Sequence, residues 1–115
     1  MPWPTELRVD KARTTLTVTY DSGERFALPA EYLRVESPSA EVQGHSAAQK
    51  QIISGKRHVK IERLEPVGNY ATRIHFDDGH DTGLYSWDYL YELGSNQPKK
   101  WETYLSGLRA KKLTR

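Results

Sequence analysis

The densest run of chemically capable side chains is His75-Phe-Asp-Asp-Gly-His-Asp81. His75 and Asp77 stand two apart, so on a strand they share a face, and His80 follows across a presumed turn. That is the H-x-D portion of a two-His-one-carboxylate iron site, whose chemistry would be oxygen activation at a ferrous ion. The oxygenase barrels that carry such triads need far more than 115 residues, and most Asp-Gly hairpins bind nothing. The remaining histidines, His45 and His58, add no tight H-x-x-x-H pair. Cysteine is absent, which excludes disulfides, a thiolate nucleophile, thiolate zinc and cysteine-ligated iron–sulfur clusters. No serine lies in a G-x-S-x-G elbow, and the glycines are isolated turn residues rather than a phosphate cradle. The residues therefore supply no complete catalytic set, and we expect a chain that is not an enzyme and carries no cofactor.

The elements that must hold these residues read mostly as β-structure in the first two thirds of the chain. Leu16, Val18 and Tyr20 alternate with Thr15, Thr17 and Thr19, the period of a half-buried strand. Asp21-Ser22-Gly23 supplies a turn, Phe26 and Leu28 share a face of the return strand, and Leu7 and Val9 suggest a preceding strand in the same meander. Pro29 lacks the N–H a ladder needs and suits a helix start, which predicts a short helix over 29–34. From 36 to about 57 the pattern dissolves into a loop, with at most a helical turn in Ala47–Ile53. A strand over Val59–Leu64 ends at Pro66-Val-Gly68. Tyr70, Thr72, Ile74 and Phe76 then mark the buried side of another strand. Asp77-Asp78-Gly79 turns it into a return strand over Thr82–Tyr85. Ser86 is a good N-cap for a helix from Trp87 to Leu93 that stops at Gly94. Pro98 opens a last helix, whose Trp101, Tyr104, Leu105 and Leu108 form one apolar stripe that most simply packs on the β domain.

Charge is unevenly spread. Residues 1–94 hold 11 Lys/Arg against 14 Asp/Glu, whereas residues 95–115 hold six against Glu102 alone. The division suggests a domain over 1–94 and a basic helical extension over 95–115. Lys99, Lys100, Lys111 and Lys112 could make phosphate-type contacts, but no base-reading motif accompanies them, so solvated surface is the simpler reading and nucleic acid is not the expected partner. Hydrophobic residues at 37% and charged ones at 28% indicate a folded soluble chain. No stretch has signal-peptide or membrane-span character, so a cytoplasmic location without membrane contact is expected.

Several motifs together resemble one family. Leu33-Arg34 followed by Glu36-Ser-Pro-Ser-Ala-Glu41, Pro66-Val-Gly-Asn-Tyr-Ala71, and Phe76-Asp-Asp-Gly-His80 with Gly83-Leu-Tyr-Ser-Trp87 are similar to the gamma-butyrobetaine hydroxylase-like N-terminal domain over roughly residues 5–94. The resemblance implies the stand-alone bacterial form of a domain that elsewhere precedes an oxygenase barrel or joins iron–sulfur-carrier ATPases. In the oxygenase versions it binds zinc through C-x-C-x-x-C and a later histidine. Those positions fall here on Ser37, Ser39, Val42 and His80, of which only the histidine is a zinc ligand. The resemblance thus implies a degenerate zinc site whose loop is held by Ser37 and Ser39 hydrogen bonds or is free to move.

The expected fold is α+β: a small, mainly antiparallel β domain with short helices and a C-terminal helix. The expected function is a non-enzymatic accessory or interaction module that meets an unidentified protein partner through Arg34, His45, His80, Tyr85 and Trp87. Of the aromatic run Tyr85, Trp87, Tyr89 and Tyr91, some must build the core and two or three are left for contact. The alternative is a metal-linked helper in iron–sulfur trafficking or beside an oxygenase, resting on His75, Asp77 and His80.

Overall fold

Alternation of β-branched and apolar residues produces two three-stranded antiparallel sheets in a computed structural model that describes residues 2–44 and 50–115. The first sheet is a meander of β1 (Pro4–Val9), β2 (Thr15–Tyr20) and β3 (Arg25–Pro29). Its register sets Leu16 opposite Leu28 and Val18 opposite Phe26, so the apolar members of both strands share a face. The β1–β2 turn is held by Asp10, whose Oδ1 accepts from the backbone N–H groups of Thr14 (2.8 Å) and Thr15 (3.1 Å). The second sheet comprises β4 (Ile61–Val67), β5 (Ala71–Phe76) and β6 (Leu84–Ser86), in that order. The β1–β2 turn reaches β4 through Arg13, whose carbonyl accepts from Ile61 N–H (2.8 Å) and whose Nη1 donates to Glu62 O (2.7 Å).

Among the described residues the helices are α1 (Ala30–Val35), α2 (Ala40–Gln43), α3 (Trp87–Ser95) and α4 (Gln97–Ala110). The principal core takes Leu16, Val18, Tyr20 and Leu28 from the first sheet and Ile61, Ile74, Phe76 and Tyr85 from the second. Tyr32 and Leu33 of α1 and Leu90 and Leu93 of α3 complete it. The apolar stripe of α4 packs as expected: Tyr104 and Leu108 are buried with Val35, flanked by Trp101, Leu105, Ile52 and Ile53. Beyond α4 the chain is tied back, with Arg115 donating twice to the carboxylate of buried Glu31 (Nη2 to Oε1, 2.7 Å; Nε to Oε2, 3.1 Å). No helix among the described residues is long and apolar enough to cross a membrane.

The fold class is the expected small α+β domain, and the differences from expectation are local. β4 does not stop before Pro66 but carries it to Val67, with Pro66 opposite Thr72; β4 is an edge strand, where a missing N–H costs no ladder bond. Helix α2 lies within the segment expected to be loop. Of Ala47–Ile53, positions 47–49 lie outside the described residues and 50–53 have no regular structure. Tyr70 belongs to the β4–β5 turn rather than to the buried face of β5. Helix α3 runs through Gly94 to Ser95. Gly94 is there for proximity: a Cβ would stand 2.3 Å from Cγ of Phe26, so its absence lets α3 seat on β3.

Candidate functional site

The C-terminus of α1 and the β5–β6 turn bring the four zinc-equivalent positions into one neighbourhood. Ser37 follows the α1 C-cap and Ser39 is the N-cap of α2, the short helix that carries Val42. His80 comes from the turn after β5, where its backbone N–H donates to Asp78 Oδ1 (3.1 Å). Ser37 Oγ and His80 Nε2 lie 2.9 Å apart, while His80 Nδ1 faces Glu41 Oε2 at 3.4 Å. A proton on Nδ1 suits that carboxylate, which leaves Nε2 to accept from the Ser37 hydroxyl. Ser37 O accepts from Gln43 Nε2 (2.9 Å), and Ser39 N–H leans on Ser37 Oγ (3.4 Å). Ser37, Val42 and His80 are buried. Gly83 closes the cluster from the other side, since a Cβ there would come within 2.5 Å of Ser37 Oγ.

Its electrostatics favour a neutral imidazole. Burial, and then the Arg34 guanidinium, lower the His80 pKa against the opposing pull of Glu41, Asp78 and Asp81. Arg34 Nε donates to Asp78 Oδ2 (2.8 Å), and Lys56 Nζ reaches the same oxygen (2.6 Å). Burial alone would raise the Asp78 pKa, but these bonds and the one from His80 N–H hold it at about 2. Serine, histidine and glutamate in this order have the connectivity of a hydrolytic triad. Ser37 is nevertheless fully buried, with Gly83 packed close against its Oγ, and so has no face open to a substrate.

The other candidates part company. His75 Nε2 pairs with Glu65 Oε1 across the β4–β5 ladder (2.9 Å), and Asp77 Oδ1 accepts from Lys60 N–H (2.9 Å). His80 turns instead to Ser37, so the three residues form no facial triad. Among the described residues no three His, Asp or Glu side chains assemble for a metal ion. Tyr85 is a correction: it is fully buried, donating to Leu33 O (2.5 Å), so it belongs to the core and not to a contact surface. Tyr89 likewise donates to Glu36 O (2.5 Å), and the two hydroxyls satisfy carbonyls left open at the end of α1. His45 lies outside the described residues. In the basic segment, Lys100 pairs with Glu92, Arg109 with Glu102 and Arg115 with Glu31, so half of its cations are neutralised within the chain.

Trp87 leads to a surface that sequence reasoning did not assemble. It is half-buried, with Nε1–H donating to Asn69 O (2.9 Å). Beside it stand Trp3 and Tyr70, 52% and 55% exposed. Together with Pro2, Ser86 and Asp88 they line an open cleft of about 380 Å³. A second depression of about 370 Å³ shares Trp3 and Trp87 and adds Leu7 and Glu6. Trp3 is fixed through its backbone, its N–H donating to Asp21 Oδ1 (3.1 Å) and its carbonyl accepting from Asp21 N–H (2.8 Å).

The model of the gamma-butyrobetaine hydroxylase-like N-terminal family matches residues 7–91, most of the chain. The chain belongs to that family. Two solution NMR structures resemble it at TM-scores of 0.86, with 49% and 45% identity, over all of this chain and 86% and 90% of theirs. A crystal structure of a protein with unknown function of the DUF971 family, from Acidithiobacillus ferrooxidans, matches at a TM-score of 0.67 and 38% identity. It covers 79% of this chain and 91% of its own. A comparison with curated proteins returned no match. The two NMR relatives span α4, which the family model leaves out.

Against the zinc that the family resemblance implies, this member's residues do not fit. Ser37 and Ser39 offer protonated hydroxyls, Val42 offers no donor atom, and the histidine's Nε2 is occupied by Ser37. Ser39 Oγ is buried without a hydrogen-bond partner among the described residues. The scaffold positions are occupied by a hydrogen-bonded clasp between the α1–α2 connection and the β5–β6 turn.

Proposed function

We propose that this chain is a non-enzymatic interaction module that holds a partner protein against the face built from Trp3, Tyr70 and Trp87. The observation that carries this reading is the gathering of three large aromatic side chains, from the segment just before β1, the β4–β5 turn and the start of α3, around one open cleft. Aromatic residues of this kind anchor protein interfaces, because each brings a large apolar area at low conformational cost. The face differs from the one expected from sequence, since Arg34 and His80 are engaged in the closed cluster and only Trp87 is shared. A metal-linked role finds no donor set among the described residues in its favour.

Affinity capture from cells that naturally express the protein tests the reading. Partners retained by the wild-type chain should be depleted at least several-fold with Tyr70→Ala, which removes an exposed ring and leaves the core intact. Equal recovery with both chains would contradict it.

A further inference from the structure

We propose that the Trp3–Tyr70–Trp87 cleft receives a lysine or arginine side chain carried by an extended segment of the partner protein. The inference rests on the interaction reading above and names the chemistry of its partner.

Charge decides the occupant. Asp88 lines the first depression and Glu6 the second, and among the described residues no Lys, Arg or His lines either. Glu6 is already engaged by Arg8 (3.0 Å), whereas no cation among the described residues pairs with Asp88. The cleft thus joins aromatic rings to a carboxylate that no side-chain cation among the described residues neutralises. An ammonium or guanidinium beside an indole or phenol face is attracted by the ring quadrupole, while its aliphatic stem covers apolar surface. Arginine adds a planar head that matches a carboxylate. An acidic segment would be repelled here, and a purely apolar one would desolvate Asp88 without compensation.

Form decides that the cation arrives on a chain. Two open depressions of similar size adjoin at Trp3 and Trp87, which suits an extended segment crossing both rather than a small molecule enclosed in one. The walls are set in advance. Trp3 is tethered to Asp21 and Trp87 to Asn69, and Tyr70 lies over Gly68, where a Cβ would meet its ring at 2.9 Å. Little ordering is left to oppose binding.

The test is an NMR titration of the whole chain with acetyl-Ala-Arg-Ala-amide and with its citrulline counterpart, a neutral shape-mimic of arginine. The expected result is a saturable shift of the Trp3 and Trp87 indole N–H signals with the arginine peptide. Binding should weaken about three- to tenfold with citrulline, with Asp88→Asn, or with added salt, and should be lost with Tyr70→Ala. Equal responses to the two peptides, indifference to Asp88→Asn, or no saturable shift at millimolar peptide would overturn the proposal. Partner capture that depends on Tyr70 but not on Asp88 would remove the cation and leave the module. Arginine-selective peptide binding without any Tyr70-dependent partner would do the reverse.

Discussion

His80 shows how one residue type serves two ends within a fold. As a ligand it would present a ring nitrogen to a metal; here Nε2 accepts the Ser37 hydroxyl, which requires the neutral ring. Burial and Arg34 lower its pKa below the ordinary value of 6.5. A histidine lowered on folding leaves stability complete above 6.5 and erodes it as pH falls from 6.5 toward the folded value. Asp78, held at about 2, withdraws its contribution only below 3.8. Urea midpoints should therefore fall between pH 7.5 and 5.5, more steeply in the wild type than in His80→Gln; parallel slopes would contradict the neutral clasp. The same positions test the zinc argument. The triple variant Ser37→Cys, Ser39→Cys, Val42→Cys should bind one zinc per chain, as measured by elemental analysis, and lose it when His80→Ala is added. A triple variant that binds no zinc would break the correspondence between these four residues and a metal site. The four positions were legible in the sequence because motif spacing survives ligand loss. The 2.9 Å bond between residues 43 apart was not, since nothing local encodes which hydroxyl a distant imidazole will meet.

At the level of elements, the strands were readable because Thr15–Tyr20 and Thr72–Phe76 alternate with the period of a half-buried ladder. Ser86 was readable as a cap, and its Oγ accepts from Tyr89 N–H (3.1 Å). In one dimension Gly94 reads as a helix stop, because a glycine at a helix end and a glycine at a close crossing look alike. The space around Phe26 distinguishes them. Gly94→Ala should cost about 1–3 kcal/mol by displacing that ring, against a gain of under about 1 kcal/mol in helix propensity. Chemical denaturation measures the difference, and a neutral or stabilised variant would show that α3 is not seated on β3 as described. Trp3 and Tyr70 differ in how they read. Trp3 lies in no periodic run, while Tyr70 reads as the first buried member of the Thr72–Phe76 alternation yet stands exposed in the β4–β5 turn; their meeting with Trp87 follows from how the segment before β1, that turn and α3 pack together. Helix α2 was missed because four residues carry too little pattern to read.

At the scale of the molecule, the sheets and helices of the described residues leave the Ser37–His80 cluster closed and the Trp3–Tyr70–Trp87 face open. The closed cluster stands where the family resemblance puts metal; the open face stands beside Asp88, which pairs with no cation among the described residues. Under the proposed interaction role, a partner would meet Trp3, Tyr70 and Trp87, away from Ser37 and His80. The most direct measurement is photo-crosslinking in cells that naturally express the protein, with a benzophenone amino acid replacing Tyr70 in one chain and Arg25, exposed on β3, in another. A discrete protein adduct is expected from position 70 and not from position 25, and it should disappear when Trp3→Ala is added. No adduct at position 70, or the same adduct from both positions, would contradict the assignment of this face.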